Sequence, residues 1–111
     1  MPTHDPQMLK GVLALLLLSQ LEREDGYGYS IVTRLKELGF ADLAEGTVYP
    51  ALTRLENAGH LESYLQRSGS GPARKYYRIT DAGRADLAAR TQSWTDLVAA
   101  VAAVTAKEPT P

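Results

Sequence analysis

With 111 residues, the chain is sized for one domain that buries about 60 to 70% of its unfolded surface, which leaves no room for a barrel enzyme or a doubly wound sheet. Lysine and arginine total 12 against 13 aspartates and glutamates, a formal net charge of -1, so affinity for nucleic acid has to come from local charge placement. The absence of cysteine excludes disulfides, thiol catalysis and zinc-finger chemistry, and His4 and His60 alone cannot build a metal cluster; no metal and no cofactor are expected.

In chain order, residues 1–7 and residues 107–111 are rich in proline and small or polar types and read as frayed tails. The longest apolar run, Val12 to Leu18, is seven residues against the roughly 20 needed to cross a bilayer. The start lacks the pattern of a secretory signal, so no membrane association and a cytoplasmic location are expected. Leu9 to Leu21 carries aliphatic residues on every side of a helical wheel, which calls for burial all round, inside the domain or against a second copy.

A second helix is predicted over Tyr27 to Leu38, where Tyr27, Ile31, Leu35 and Leu38 recur at helical spacing and Gly39 ends the run. A third is predicted over Thr47 to Ala58. Val48, Ala51, Leu52, Leu55 and Ala58 form its apolar side, and Thr47 as N-cap would place Pro50 at N3, where a missing N–H costs no intrahelical bond. The period then falls to two: Leu61, Ser63 and Leu65 alternate with Glu62, Tyr64 and Gln66, and Arg74 to Ile79 is another short run read as rich in aromatic and β-branched residues. These segments predict a two-stranded hairpin around the Arg67 to Pro72 loop. Thr80 is the predicted N-cap of a last, long helix with Leu87, Trp94 and Val101 seven apart, as are Leu97 and Val104, in two columns of a packing seam that Arg90 interrupts.

Three helices, a hairpin and a terminal helix describe a mainly α fold with a two-stranded β wing: a winged helix-turn-helix over residues 9–79, followed by a C-terminal dimerisation helix over residues 80–106. Charge placement supports DNA binding. Arg67, Arg74, Lys75, Arg78 and Arg84 stand against Asp81 alone between residues 67 and 84, a local surplus on the wing and its base that suits phosphates or a minor groove. On the third helix Thr47, Tyr49, Thr53, Arg54 and Asn57 are the candidates for the groove, and asparagine can read adenine through two hydrogen bonds. Arg54 could instead pair with a carboxylate such as Glu56, and Tyr49 could cap the core. Asp81, Asp86 and Asp96 have no nucleophilic or basic partner, so no enzyme is expected.

Leu9-Lys10-Gly11 before an aliphatic helix, Tyr27-Gly28-Tyr29, Gly46-Thr47-Val48-Tyr49-Pro50-Ala51-Leu52 with Arg54-Leu55-Glu56, and Arg74-Lys75-Tyr76-Tyr77-Arg78-Ile79-Thr80 followed by Gly83 together resemble the PadR family of transcriptional regulators. The terminal part resembles its small subfamily with a single C-terminal helix. The resemblance implies a dimeric winged helix-turn-helix protein, typically a repressor on a palindromic site in double-stranded DNA. It makes residues 47–58 the recognition helix, which includes Pro50, sets Tyr49 at the DNA-contacting tyrosine, and makes Arg74 and Lys75 wing residues near phosphates. The first and last helices would form the homodimer. The family often has a serine near position 44, where this chain has Ala44.

For Trp94 two readings stand open. The resemblance to small multidrug-responsive members implies a tryptophan that stacks a flat aromatic or hydrophobic effector at the dimer interface, with Leu97, Leu13 and Leu17 around it. The alternative is a closed dimer core made of the same residues. As a whole, the rival to a DNA-binding regulator is a winged-helix protein-protein interaction module that does not touch DNA.

Overall fold

The computed structural model describes residues 4–67 and 69–106; the expected tail at 107–111 lies outside them. Helix α1, Pro6–Arg23, starts three residues before the predicted Leu9 because Asp5 caps it: the Asp5 carboxylate accepts hydrogen bonds from the backbone N–H groups of Gln7 and Met8 at 2.9 and 3.1 Å, and Pro6 supplies the fixed φ suited to a first turn. The expected tail at 1–7 is thereby corrected over its described part. His4 donates its backbone N–H to Asp42, places Nε2 2.9 Å from the Gly39 carbonyl oxygen and packs its ring on Phe40.

One face of α1, with Leu13, Leu17, Leu18 and Leu21, is buried in the single chain. The opposite face, with Val12, Leu15 and Leu16, is only half-buried. Burial all round is therefore not reached within one chain.

Gly26–Tyr27 forms a short strand, β1, before helix α2, Gly28–Glu37. Prediction had placed Tyr27 inside the helix. The extended backbone at Tyr27 is fixed by Ser30, whose hydroxyl accepts from the Tyr27 N–H at 3.1 Å and donates to the Tyr27 carbonyl at 2.9 Å, so the chain turns into the helix one residue later. Ile31, Val32 and Leu35 of α2 enter the core, and Gly39, at φ +117, ends the helix in a conformation closed to most side chains.

Helix α3 covers Glu45–Asn57 with Ala44 as N-cap, which overturns the assignment of Thr47 as cap. Pro50 is the sixth helical residue, so the Gly46 carbonyl loses its intrahelical donor. Gly46 is exposed, and water can take that place. The Ala44 side chain makes no cap bond; its carbonyl accepts from Thr47 and Val48, and Glu45 puts a negative charge on the positive end of the helix dipole. Val48, Ala51, Leu52 and Leu55 are buried as the spacing predicted.

Strands β2, Leu61–Gln66, and β3, Arg74–Ile79, pair antiparallel from Leu61 opposite Ile79 to Gln66 opposite Arg74. Strand β1 adds to the other edge of β3, with Gly26 opposite Tyr77 and Tyr27 opposite Tyr76, so the predicted hairpin sits in a three-stranded sheet of order β1-β3-β2. Helix α4, Asp81–Thr105, begins where predicted: the Thr80 hydroxyl accepts from the Gly83 N–H at 3.0 Å and donates to the Gly59 carbonyl at 2.7 Å. Gly83 is required there, because a side chain would strike the His60 carbonyl oxygen. Leu87 closes the core. Beyond it α4 extends away from the other elements, which gives a molecule of 68 × 32 × 20 Å.

Candidate nucleic-acid interface and the terminal seam

Burial of the apolar side of α3 turns its polar side outward. Thr47, Tyr49, Pro50, Thr53, Arg54 and Asn57 are all exposed. Thr53 donates its hydroxyl to the Tyr49 carbonyl at 3.2 Å, which leaves its oxygen free to accept. The Tyr49 ring lies against Gly28 at the start of α2, so close that any Cβ at position 28 would occupy the ring's place. Partial burial, with help from Glu45 and Tyr77, pushes the Tyr49 phenol above its ordinary range, so it stays a neutral donor near neutral pH. Arg54 makes no ion pair with Glu56 or any other carboxylate among the described residues; it borders a cleft of about 300 Å³ between α1, α3 and α4 together with Lys10 and Arg90.

Alternation along β3 sends adjacent cations to opposite faces of the sheet. Lys75 points toward α3, where its ammonium lies 3.1 Å from Glu56 Oε1, and the Ser63 hydroxyl of β2 donates to the other oxygen of the same carboxylate. The Ser63 bond first and the Lys75 bond second hold the Glu56 carboxyl below its ordinary range, and Glu56 in turn raises Lys75. Arg74 points to the outer face and donates to the Tyr27 hydroxyl at 3.1 Å with its guanidinium 4.7 Å from the ring centre. Tyr27, Tyr76 and Tyr64 continue in a row at 5.2 and 5.8 Å between ring centres. At its far end Arg78 covers Tyr64 and pairs with Glu62 at 2.9 Å, which raises Arg78 further, while the Tyr64 hydroxyl donates to Asp25, which raises that phenol. Of the five cations between residues 67 and 84, Lys75 and Arg78 thus have carboxylate partners, whereas Arg67, Arg74 and Arg84 have none among the described residues.

On α4 Leu87, the first member of the predicted seam, is buried in the head's core, and the two columns are uncovered only from Trp94 onward: Trp94 is 45% exposed, Leu97 56% and Val101 51%. The interruption at Arg90 has a local cause. Arg90 Nε donates to Asp86 Oδ2 at 2.6 Å, one turn earlier on the same helix, so this position is taken up by a polar pair along α4 before the apolar seam begins; His60 Nδ1 lies 3.4 Å from the same oxygen without forming a hydrogen bond.

A model of the Transcriptional regulator PadR-like family matches residues 17–89. This chain belongs to that family. A PadR-like transcriptional regulator from Bacillus cereus is similar in structure at 40% identity, with a TM-score of 0.81 over 92% of this chain and 99% of that one. A PadR family regulator from Eggerthella lenta is similar at 37% identity, with a TM-score of 0.83 over 92% of this chain and 88% of that one. A transcriptional regulator of Mycobacterium tuberculosis is 37% identical over 78 residues, 70% of this chain and 71% of that protein.

Membership in a family of transcriptional regulators places this PadR-like chain outside the enzymes, and no described helix is long and apolar enough to cross a membrane. The geometry separates the α1 residues named around Trp94 by their exposure. In the single chain Leu17 is fully enclosed and Leu13 is 3% exposed, Leu13 bordering the cleft beside Arg54 and Arg90. The α1 residues with surface to offer are Val12, Leu15 and Leu16. Sequence reasoning also missed Glu56 as the link between recognition helix and wing. The signal was Ser63, a polar residue in the inward column between Leu61 and Leu65, which requires a polar partner on the helix above it.

Proposed function

We propose that this PadR-like regulator is a cytoplasmic homodimeric repressor that binds a palindromic operator in double-stranded DNA. Helix α3 enters the major groove with Thr47, Tyr49, Pro50, Thr53, Arg54 and Asn57 at or near base edges and backbone, and the wing reaches the flanking phosphates through Arg74, with Lys75 beside it. The observation that carries the reading is the exposed polar row of α3 standing next to a wing whose Arg74 has only an uncharged phenol as partner. Two heads joined through α4 would read half-sites about one helical turn, roughly 34 Å, apart.

The exposed seam at Trp94, Leu97 and Val101 supports both the dimer and a regulatory ligand. A small aromatic or hydrophobic effector stacked on Trp94 would alter the angle between the two α4 helices and carry the heads out of register, which lowers operator affinity.

Footprinting on duplexes selected from a random pool tests the reading. A protected site with two-fold symmetry and a binding constant that falls steeply with salt is the expected result. Replacing Arg74 and Lys75 together with glutamine should reduce the salt slope by up to about two. Failure to bind any duplex would favour the interaction module without DNA.

A further inference from the structure

Arg74 and Lys75 are neighbours in sequence but differ in availability. Arg74 keeps its full charge beside a neutral phenol, whereas Lys75 is matched against Glu56 of α3, whose two oxygens are held separately by Lys75 and Ser63. We propose that Glu56 is a specificity-setting residue that occupies Lys75 in place of a DNA phosphate and releases it only when α3 is seated in a groove. The inference rests on the DNA-binding reading above.

The chemistry of the exchange is simple. Carboxylate and phosphate are both anionic oxygen acceptors, and the Lys75 side chain is half-exposed, so its pair with Glu56 is of the weak, exchangeable kind. Lys75 lies on the α3 side of the wing, so a phosphate is held against it for long enough to displace Glu56 when the recognition helix lies beside the backbone of a groove. A lysine without Glu56 would attract any duplex at any approach angle, a sequence-independent contribution that erodes discrimination. Ser63 makes the arrangement firm, because its hydroxyl fixes the carboxylate toward the sheet even when Lys75 leaves.

The test uses full-length protein and fluorescence anisotropy with two labelled probes, a mixed-sequence duplex and the duplex selected from a random pool, between about 50 and 200 mM salt. Salt-independent or absent binding by the unmodified protein to both probes overturns the DNA-binding reading itself, whatever Glu56 does. Given binding, Glu56→Gln should tighten the mixed duplex by up to about fivefold, the range of an exposed pair, and steepen its salt slope by about 0.9, the effect of one more neutralised phosphate. The selected-to-mixed affinity ratio should fall. Lys75→Gln should barely change the mixed-duplex slope in the unmodified protein but cancel the increase in the Glu56→Gln background, while Arg74→Gln lowers the slope by about 0.9 in both. An unchanged slope and ratio in Glu56→Gln, or a loss of mixed-duplex slope from Lys75→Gln as large as that from Arg74→Gln, overturns the proposal. If circular dichroism shows Glu56→Gln unfolded, the comparison of Lys75→Gln with Arg74→Gln decides alone.

Discussion

The head, from α1 to the first two turns of α4, and the outer part of α4 are both rich in aliphatic residues, but they meet different fates. In the head most of the predicted apolar residues find a counterpart within the chain: Leu17 and Leu18 of α1, Ile31 and Leu35 of α2, Val48 and Leu52 of α3 and Ile79 of β3 are enclosed together, while the Val12, Leu15 and Leu16 side of α1 is half-buried and Leu38 and Leu65 lie exposed at the ends of their elements. From Trp94 onward the same kind of residue remains open to solvent at heptad-like spacing. A hydrophobic period therefore specifies a face, and topology decides whether the cover is intramolecular. The head folds on itself, and the outer α4 leaves an apolar face uncovered, which is what the proposed dimer would bury.

The largest effect should separate these regions. Leu52→Ala in the enclosed core should cost about 2 to 5 kcal/mol, measured by denaturant unfolding at fixed protein concentration. Val101→Asp, on the seam, should leave the head's secondary structure intact by circular dichroism and change association instead. Light scattering should fall from about 24 kDa, twice the single-chain 12.1 kDa, to one chain. A seam variant that unfolds the head, or a core variant that only dissociates the protein, would erase the distinction drawn here.

How much of this was legible in sequence follows the same division. The buried faces of α2 and α3, the β2 and β3 segments and the Thr80 cap follow from local period and capping chemistry, which depend on few residues. What escaped depends on contacts far apart in the chain. Strand β1 exists because β3, some fifty residues later, offers an edge to Gly26 and Tyr27. The helix start at Asp5 was hidden by two prolines that read as a tail, one of which serves as the first helical residue. Of the proposed DNA-facing residues, the six on α3 were legible because exposure is the complement of a regular apolar face. The different states of Arg74 and Lys75 were not, since each is set by a partner on another element. The burial of Leu13 and Leu17 in the head was not legible for a related reason: a helix apolar all round gives no phase from which to tell its inner from its outer face.

An intermediate effect probes the join between head elements. Gly28 lets the Tyr49 ring lie on the start of α2, so Gly28→Ala should push the ring away and cost about 1 to 3 kcal/mol by overpacking. Because Tyr49 belongs to the proposed reading surface, the same change should weaken binding to the selected duplex more than to a mixed one. Tyr49→Ala in the Gly28→Ala background should recover most of the stability while leaving the DNA affinity low. Equal stability of the unmodified protein and Gly28→Ala would mean that the ring has another place to go.

The smallest effect concerns pH and compares the wing's inner face with its outer one. The Glu56 carboxyl is held below its ordinary range by Ser63 and then Lys75. A carboxyl with a depressed folded value binds protons more readily in the unfolded chain, so its contribution is complete above the unfolded value, about 4.3, and disappears as pH falls through the folded one. The partner's shift has the opposite sign: Lys75 is raised, so its contribution is complete below its unfolded value and is lost only as alkaline pH passes the folded one. The stability difference between the unmodified protein and Glu56→Gln should therefore be flat from about pH 6 to about pH 9, at no more than about 1 kcal/mol for so exposed a pair, and should close below about pH 4. Arg74→Gln, which removes a cation with no carboxylate partner, should show no such closure in the acid range, and thermal unfolding of the two variants side by side checks both arms.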